Sequence, residues 1–226
     1  MKKPLKIVLI SIGLIFLLYH ILSWTRILTI YSDLKTSNLP TLELDTKLIT
    51  TNLIKPKNGD FILYSNEKNV LRKTAVNRLC GKENDIVEIK YGTLFINGEN
   101  FDKELNLIYF YTLSKTEYKR VKSELKKEIR FHSKTGNKKD SIMILLSYNY
   151  ARKNNFENRR NVAGKFDENS IVQKIFKEDW NLDNFGPLKI PKNKYFVLGD
   201  NRDTAQDSRF VGLIDKSDIV GTVINK

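Results

Sequence analysis

The chain has 226 residues and a single cysteine, Cys80, which excludes an internal disulfide and an all-cysteine metal site. Its two histidines, His20 and His132, are far apart, which argues against a histidine-based zinc site, and no metal or cofactor is expected. Lysine and arginine outnumber aspartate and glutamate by 39 to 26, a net charge of +13. That balance suits nucleic acid, an anionic membrane surface or plain solubility.

The N-terminus narrows the choice. Ile7 to Trp24 carries no formal charge if His20 is neutral, and it is close to the length that crosses a bilayer as a helix. Lys2, Lys3 and Lys6 precede it, and Trp24 suits the membrane interface. The run is long for a secretory signal, and no small-x-small cleavage pattern follows it. An uncleaved single-pass anchor over residues 1–25 is expected, with the N-terminus inside and the C-terminal domain on the outer side. A domain placed there has no use for nucleic acid.

Residues 25–45 read as a short extended link. KLITTNLI and DFILYS are apolar and β-branched, and KPKNG between them reads as a turn. DIVEIKYGTLFING alternates around Tyr91-Gly92, which marks a hairpin. SKTEYKRVKSELKKEIRF has helical spacing, and Ser114 with Glu117 fits a capping box. SIMILLSYNYARK and NSIVQKIFKEDW also read as helices. KYFVL, FVGLI and DIVGTVIN return to strand character. The fold class expected is mainly β (α+β). Residues 26–102 and 186–226 form two parts of one β domain, and a Lys-rich helical insert over 103–185 faces away from any site.

Chemistry concentrates at two places. In TSNLPTLELD, Pro40 biases Leu39 toward an extended backbone and leaves the Ser37 hydroxyl available. In GDNRDTAQDSR, Gly199 to Arg209, both charge signs interleave directly after a strand. The order of an anchor, S-x-x-P-T-L at Ser37 to Leu42, NGDFILY, NRLCGKENDIVEI and YFVLGDNRDTAQDSRFVG resembles the type I signal peptidases, membrane-bound serine proteases of the Ser–Lys kind. The resemblance spans most of the chain except the insert.

That resemblance implies a coiled, barrel-like protease domain on a bacterial cytoplasmic membrane. It implies Ser37 as nucleophile, and signal peptides and membrane lipid as partners. It also implies that Arg78, Gly199, Asp200, Asn201, Arg202, Asp207, Ser208 and Arg209 support the site. Asp207 and Arg209 would pair as a buttress, while Asp200 and Arg202 would fix the turn.

One departure bears on the chemistry. Serine attack on an amide needs a base. The position that the resemblance gives to the lysine base is Asn77, a carboxamide with essentially no proton affinity at neutral pH. A serine expected to bond that lysine is Ala205. Lys35 is two residues before Ser37, and in an extended segment positions i and i−2 share a side about 6.6 Å apart. It is the candidate replacement, as base or as oxyanion donor. Lys73 is too far along its strand without a bulge. Three readings stay open: a peptidase with a relocated base, a feeble peptidase, and an inactive relative that grips signal peptides.

Overall fold

The computed structural model describes residues 3–33, 36–65, 74–128, 134–135 and 141–225. Helix α1 (Lys3–Trp24) has 22 residues, so at 1.5 Å per residue it is about 33 Å long, enough for a hydrocarbon core of about 30 Å. It is long and apolar enough to cross a membrane, and no residue of its span is buried against the rest of the chain.

The residues of the expected link do not run free. β1 (Thr29–Asp33) pairs antiparallel with β2 (Thr46–Thr51), and residues 36–41 turn rather than extend. The Leu39–Pro40 bond is cis. Further along are β3 (Phe61–Ser65), β4 (Thr74–Gly81), β12 (Lys194–Leu198), β13 (Ile214–Asp215) and β14 (Ile219–Val223). With β1 and β2 they make an antiparallel sheet in the order β1-β2-β14-β3-β4-β12-β13. The order runs from edge to edge. Two smaller sheets accompany it, so the domain is mainly β as expected, with no closed barrel among the described residues.

β4 lies inside this sheet and is buried on both faces, which explains the apolar run around it. Alternation puts Ala75 and Leu79 in a core with Ile62, Tyr64 and Val197. Val76 joins a second core with Leu42, Leu48, Phe61 and Leu63 on the other face. Asn77 and Arg78 are the two polar interruptions, and each is buried.

The hairpin forms as expected. β5 (Ile86–Lys90) and β6 (Thr93–Ile96) flank Tyr91 and Gly92, both with positive φ (48° and 73°), the geometry of a type I′ turn. β7 (Glu99–Asn100) and β11 (Phe185–Lys189) complete this four-stranded sheet.

The middle of the chain departs from the helical expectation. β8 (Ile108–Ser114) pairs over its whole length with β10 (Ser141–Ser147), and the short β9 (Lys134–Thr135) lies on the outer edge. SIMILLS is therefore a strand. A seven-residue apolar run fits either state by pattern alone, and the neighbouring IYFYTLS decides it by offering a matched antiparallel partner. Helix α2 (Lys115–Glu128) does form. It buries Val121 and Leu125 with half-buried Tyr118 against this sheet and turns Lys119, Arg120 and Lys122 to solvent. Its capping box is present: Ser114 N donates to Glu117 Oε2 at 2.7 Å, and Glu117 N donates to Ser114 Oγ at 3.2 Å.

α3 (Tyr148–Lys153) and α4 (Ser170–Phe176) follow. Val172 on α4, with Phe176 and Trp180, packs against Cys80, Val87, Phe185 and Phe196, so this stretch belongs to the core of the β5–β6 hairpin. FVGLI, expected as a strand, instead ends α5 (Ser208–Val211) and enters β13. The Asp207 side chain caps α5, and Gly212, at φ 82°, ends it.

Candidate active site

The loop after β12 holds one of the densest sets of buried charges in the chain. Asp200, Asn201, Arg202, Asp207, Ser208 and Arg209 are each no more than 3 % exposed. Buried charge at this density requires pairing, and each guanidinium has its carboxylate. Arg209 forks onto Asp207, with Nε to Oδ1 at 3.0 Å and Nη2 to Oδ2 at 2.8 Å. Asp207 also accepts from Gly199 N at 3.2 Å, and Arg209 Nη2 donates to the Arg202 carbonyl. Ser208 Oγ accepts from Val197 N at 2.9 Å. The loop is thereby tied back onto β12, the buttress expected of this pair.

Asp200 and Arg202 do not fix the turn by pairing with each other. Asp200 takes Arg78 of β4, with Nε at 2.7 Å and Nη2 completing the fork, and its Oδ2 also accepts from Thr41 Oγ1. Arg78 reaches the Gly59 carbonyl at 2.8 Å and stacks on Phe61. Arg202 forks onto Asp102 at 2.8 and 2.6 Å. These two residues join the loop to β4, to the Ser37 segment and to the β6–β7 region.

The middle segment also reaches this corner, contrary to the expectation that it faces away. Ile108 N donates to the Asp200 carbonyl and Arg202 N to the Ile108 carbonyl, both at 3.0 Å. Phe110 N donates to Asp203 Oδ2 at 2.6 Å. The loop needs backbone partners on that side, and the start of β8 provides them. Burial pushes the Asp203 carboxyl up to about 6, against the opposing bond from Phe110 N.

The Ser37 segment is clamped from two sides. Asn201 N donates to the Ser37 carbonyl at 2.9 Å, and Asn201 Nδ2 to the Thr36 carbonyl at 3.2 Å. On the other side Asn38 Nδ2 donates to the Val76 carbonyl of β4 at 2.8 Å. Ser37 itself is half-buried, and its hydroxyl makes no hydrogen bond among the described residues.

Positions 37, 77, 199 and 205 converge. A methyl added at Gly199 would collide with the Ala205 Cβ, and would lie 2.5 Å from the Ser37 carbonyl oxygen and 3.2 Å from Asn77 Nδ2. Only the absence of a side chain at 199 lets these groups meet. Asn77 Oδ1 accepts from the Tyr64 hydroxyl at 2.7 Å, and Nδ2 has no partner among the described residues. Burial, reinforced by the Asp207 charge, pushes the Tyr64 phenol well above its ordinary range, so it stays a proton donor. Burial likewise pushes the Cys80 thiol up to about 12, which removes it as a nucleophile. Lys35, Lys73 and His132 lie outside the described residues. Among the described residues no cluster of three or more metal-ligating side chains occurs.

A profile of the family described as signal peptidase, peptidase S26, matches residues 5–225. The chain belongs to the signal peptidase S26 family. Signal peptidase I P of Bacillus subtilis subsp. natto is 29% identical over 223 residues, covering 96% of this chain and 83% of that one. Signal peptidase IB of Staphylococcus aureus is 29% identical over 230 residues, 99% of this chain and 89% of that one. A solved signal peptidase I from Enterococcus faecalis V583 covers 76% of this chain and 98% of its own, at 21% identity and a TM-score of 0.37.

Around this site, sequence reasoning missed Tyr64, Asn38, Thr41 and Asp102. Asn38 and Thr41 stand inside the Ser37 motif, so their nearness was a usable signal. Tyr64 meets position 77 only through the β3–β4 register, which pairs it with Ala75. Nothing local marks Asp102.

Proposed function

We propose that the chain is a membrane-anchored signal peptidase that removes signal peptides from exported proteins, with Ser37 as nucleophile. The observation that carries this reading is the clamping of Ser37 beside position 77 and Gly199, in a chain whose residues 5–225 match the peptidase family.

Ser37 Oγ attacks the scissile carbonyl carbon, and the carbonyl π electrons move onto oxygen. The oxyanion collapses, the C–N bond breaks, and the departing amine takes a proton. Water then attacks the Ser37 ester and returns the serine. Asn77 has no basic lone pair, so the Ser37 proton needs another acceptor, and Lys35 is the proposed one. A lysine whose pKa is lowered serves both as base and, once protonated, as acid toward the amine.

The substrate is an extended segment. β12 covers β4 only from Arg78 to Gly81, and among the described residues no strand pairs with β4 at 74–77 on that side. A substrate strand added there lies beside Ser37 and bonds β4 at groups other than the Val76 carbonyl, which Asn38 Nδ2 holds. The reading puts the site near the bilayer, with the N-terminal lysines inside and the β domain outside, and the apolar helix with its preceding lysines supports it. The net positive charge favours anionic headgroups.

The test is preprotein cleavage by the purified protein in detergent, with N-terminal sequencing of the product. Wild type is expected to cleave, Ser37→Ala to lose cleavage, and Lys35→Ala to fall by about 10²- to 10⁴-fold. Cleavage that survives Ser37→Ala sinks the reading. Silence of every form with retained peptide binding favours the inactive relative.

A further inference from the structure

The geometry points to Asn77 as a hydrogen-bond donor to a substrate carbonyl oxygen, with Tyr64 as the residue that holds it in that orientation; this rests on the peptidase reading of the site. Asn77 is 1 % exposed and Tyr64 fully buried. A carboxamide has one acceptor end and one donor end. The phenol, kept protonated, donates to Oδ1 at 2.7 Å and takes up the acceptor end. The donor end then points toward Gly199, Ala205 and the Ser37 carbonyl.

With the amide reversed, the phenol proton would lose its acceptor and the carboxamide oxygen would face the Ser37 carbonyl oxygen. The observed orientation is therefore the stable one. It leaves Nδ2 buried and unpartnered among the described residues. A buried donor without a partner costs about 1–3 kcal/mol. In this corner that donor adjoins Gly199 and the Ser37 segment, where a bound peptide presents its carbonyl oxygen to the half-buried Ser37. The Ser37 carbonyl is already engaged by Asn201 N. A substrate carbonyl meeting Nδ2 satisfies the donor without disturbing either clamp on the Ser37 segment. Asn77 thereby takes a polarising role at a position where a base would otherwise stand. Tyr64 acts through Asn77 and is a positioning residue.

The experiment uses the full chain in detergent and has two arms. In the Ser37→Ala background, binding of a fluorescent peptide spanning a signal-peptide cleavage region is measured by anisotropy. Asn77→Ala is expected to weaken it about tenfold, the loss of one hydrogen bond. With Ser37 intact, preprotein kcat is expected to fall about 100-fold in Asn77→Ala, the scale of a lost oxyanion donor. Tyr64→Phe is expected to lower both less, and to have no further effect once Asn77 is alanine. That non-additivity separates orientation of Asn77 from a packing role, which would persist in the alanine background.

Unchanged binding and kcat in a folded Asn77→Ala protein overturn the inference. So does a Tyr64→Phe loss that stays the same in the Asn77→Ala background. If wild type shows no Ser37-dependent cleavage but Asn77→Ala still weakens binding, the donor assignment stands and the peptidase reading fails.

Discussion

The loop after β12 and helix α2 are both rich in charge, yet charge does different work in each. In the loop, Arg209–Asp207, Arg78–Asp200 and Arg202–Asp102 are removed from water, and each joins or braces elements around Ser37. On α2, Glu117 pairs with Arg159 at the surface, both partly open to water, and Lys119 and Lys122 face solvent. A buried pair is costly to break because the survivor is left as an uncompensated charge. An exposed pair is screened and worth little. What fixes the site is therefore the location of the charges, and the net +13 has little part in it.

Breaking the contrast at its strongest point gives the largest effect. Asp207→Ala strands Arg209, uncaps α5 and frees Gly199 N, so denaturant unfolding should show a loss of about 3–5 kcal/mol. Gly199→Ala comes next. Its methyl has no room between Ala205 and the Ser37 carbonyl, so stability should drop by about 1–3 kcal/mol, and Ser37-dependent cleavage should fall further than the folded fraction does.

Asp203→Asn sharpens the comparison by pH. The folded carboxyl titrates at about 6, above the ordinary unfolded value of about 3.9. The native state thus holds its proton more tightly, and stability from this group is full at low pH and declines as pH rises through that window. The asparagine variant keeps an acceptor for Phe110 N and removes the titration. It should gain on wild type, on the order of 1 kcal/mol, between pH 4 and pH 7 in thermal melts. Smallest is Arg159→Ala on the exposed side, where the melting temperature should move by less than the equivalent of about 0.5 kcal/mol.

Features set by neighbours in sequence were legible before the structure. The apolar anchor, the Tyr91-Gly92 hairpin, the Ser114–Glu117 capping box and the Asp207–Arg209 pair all depend on residues a few positions apart. Features set by distant partners were not. SIMILLS becomes a strand because β8 is available to pair with it, and FVGLI loses strand character because Asp207 starts a helical turn ahead of it. Arg202 finds Asp102 across the molecule, and Tyr64 finds Asn77 only through strand register. The site motif was readable as residue types. Its clamps, Asn201 on the Ser37 segment and Asn38 on β4, came from folding.

The central claim is that positions 37 and 77 share one reacting site, and a gain of function tests it most directly. Asn77→Lys, paired with Ala205→Ser, puts an amine beside Ile62, Tyr64 and Leu79, where burial lowers its pKa toward that of a working base. In the Lys35→Ala background, which lacks the proposed base, the account predicts that these two substitutions raise preprotein cleavage at least about tenfold over Lys35→Ala alone and that the gain vanishes when Ser37→Ala is added. Cleavage by the folded variant that stays at the Lys35→Ala rate, or that rises and survives Ser37→Ala, would contradict it.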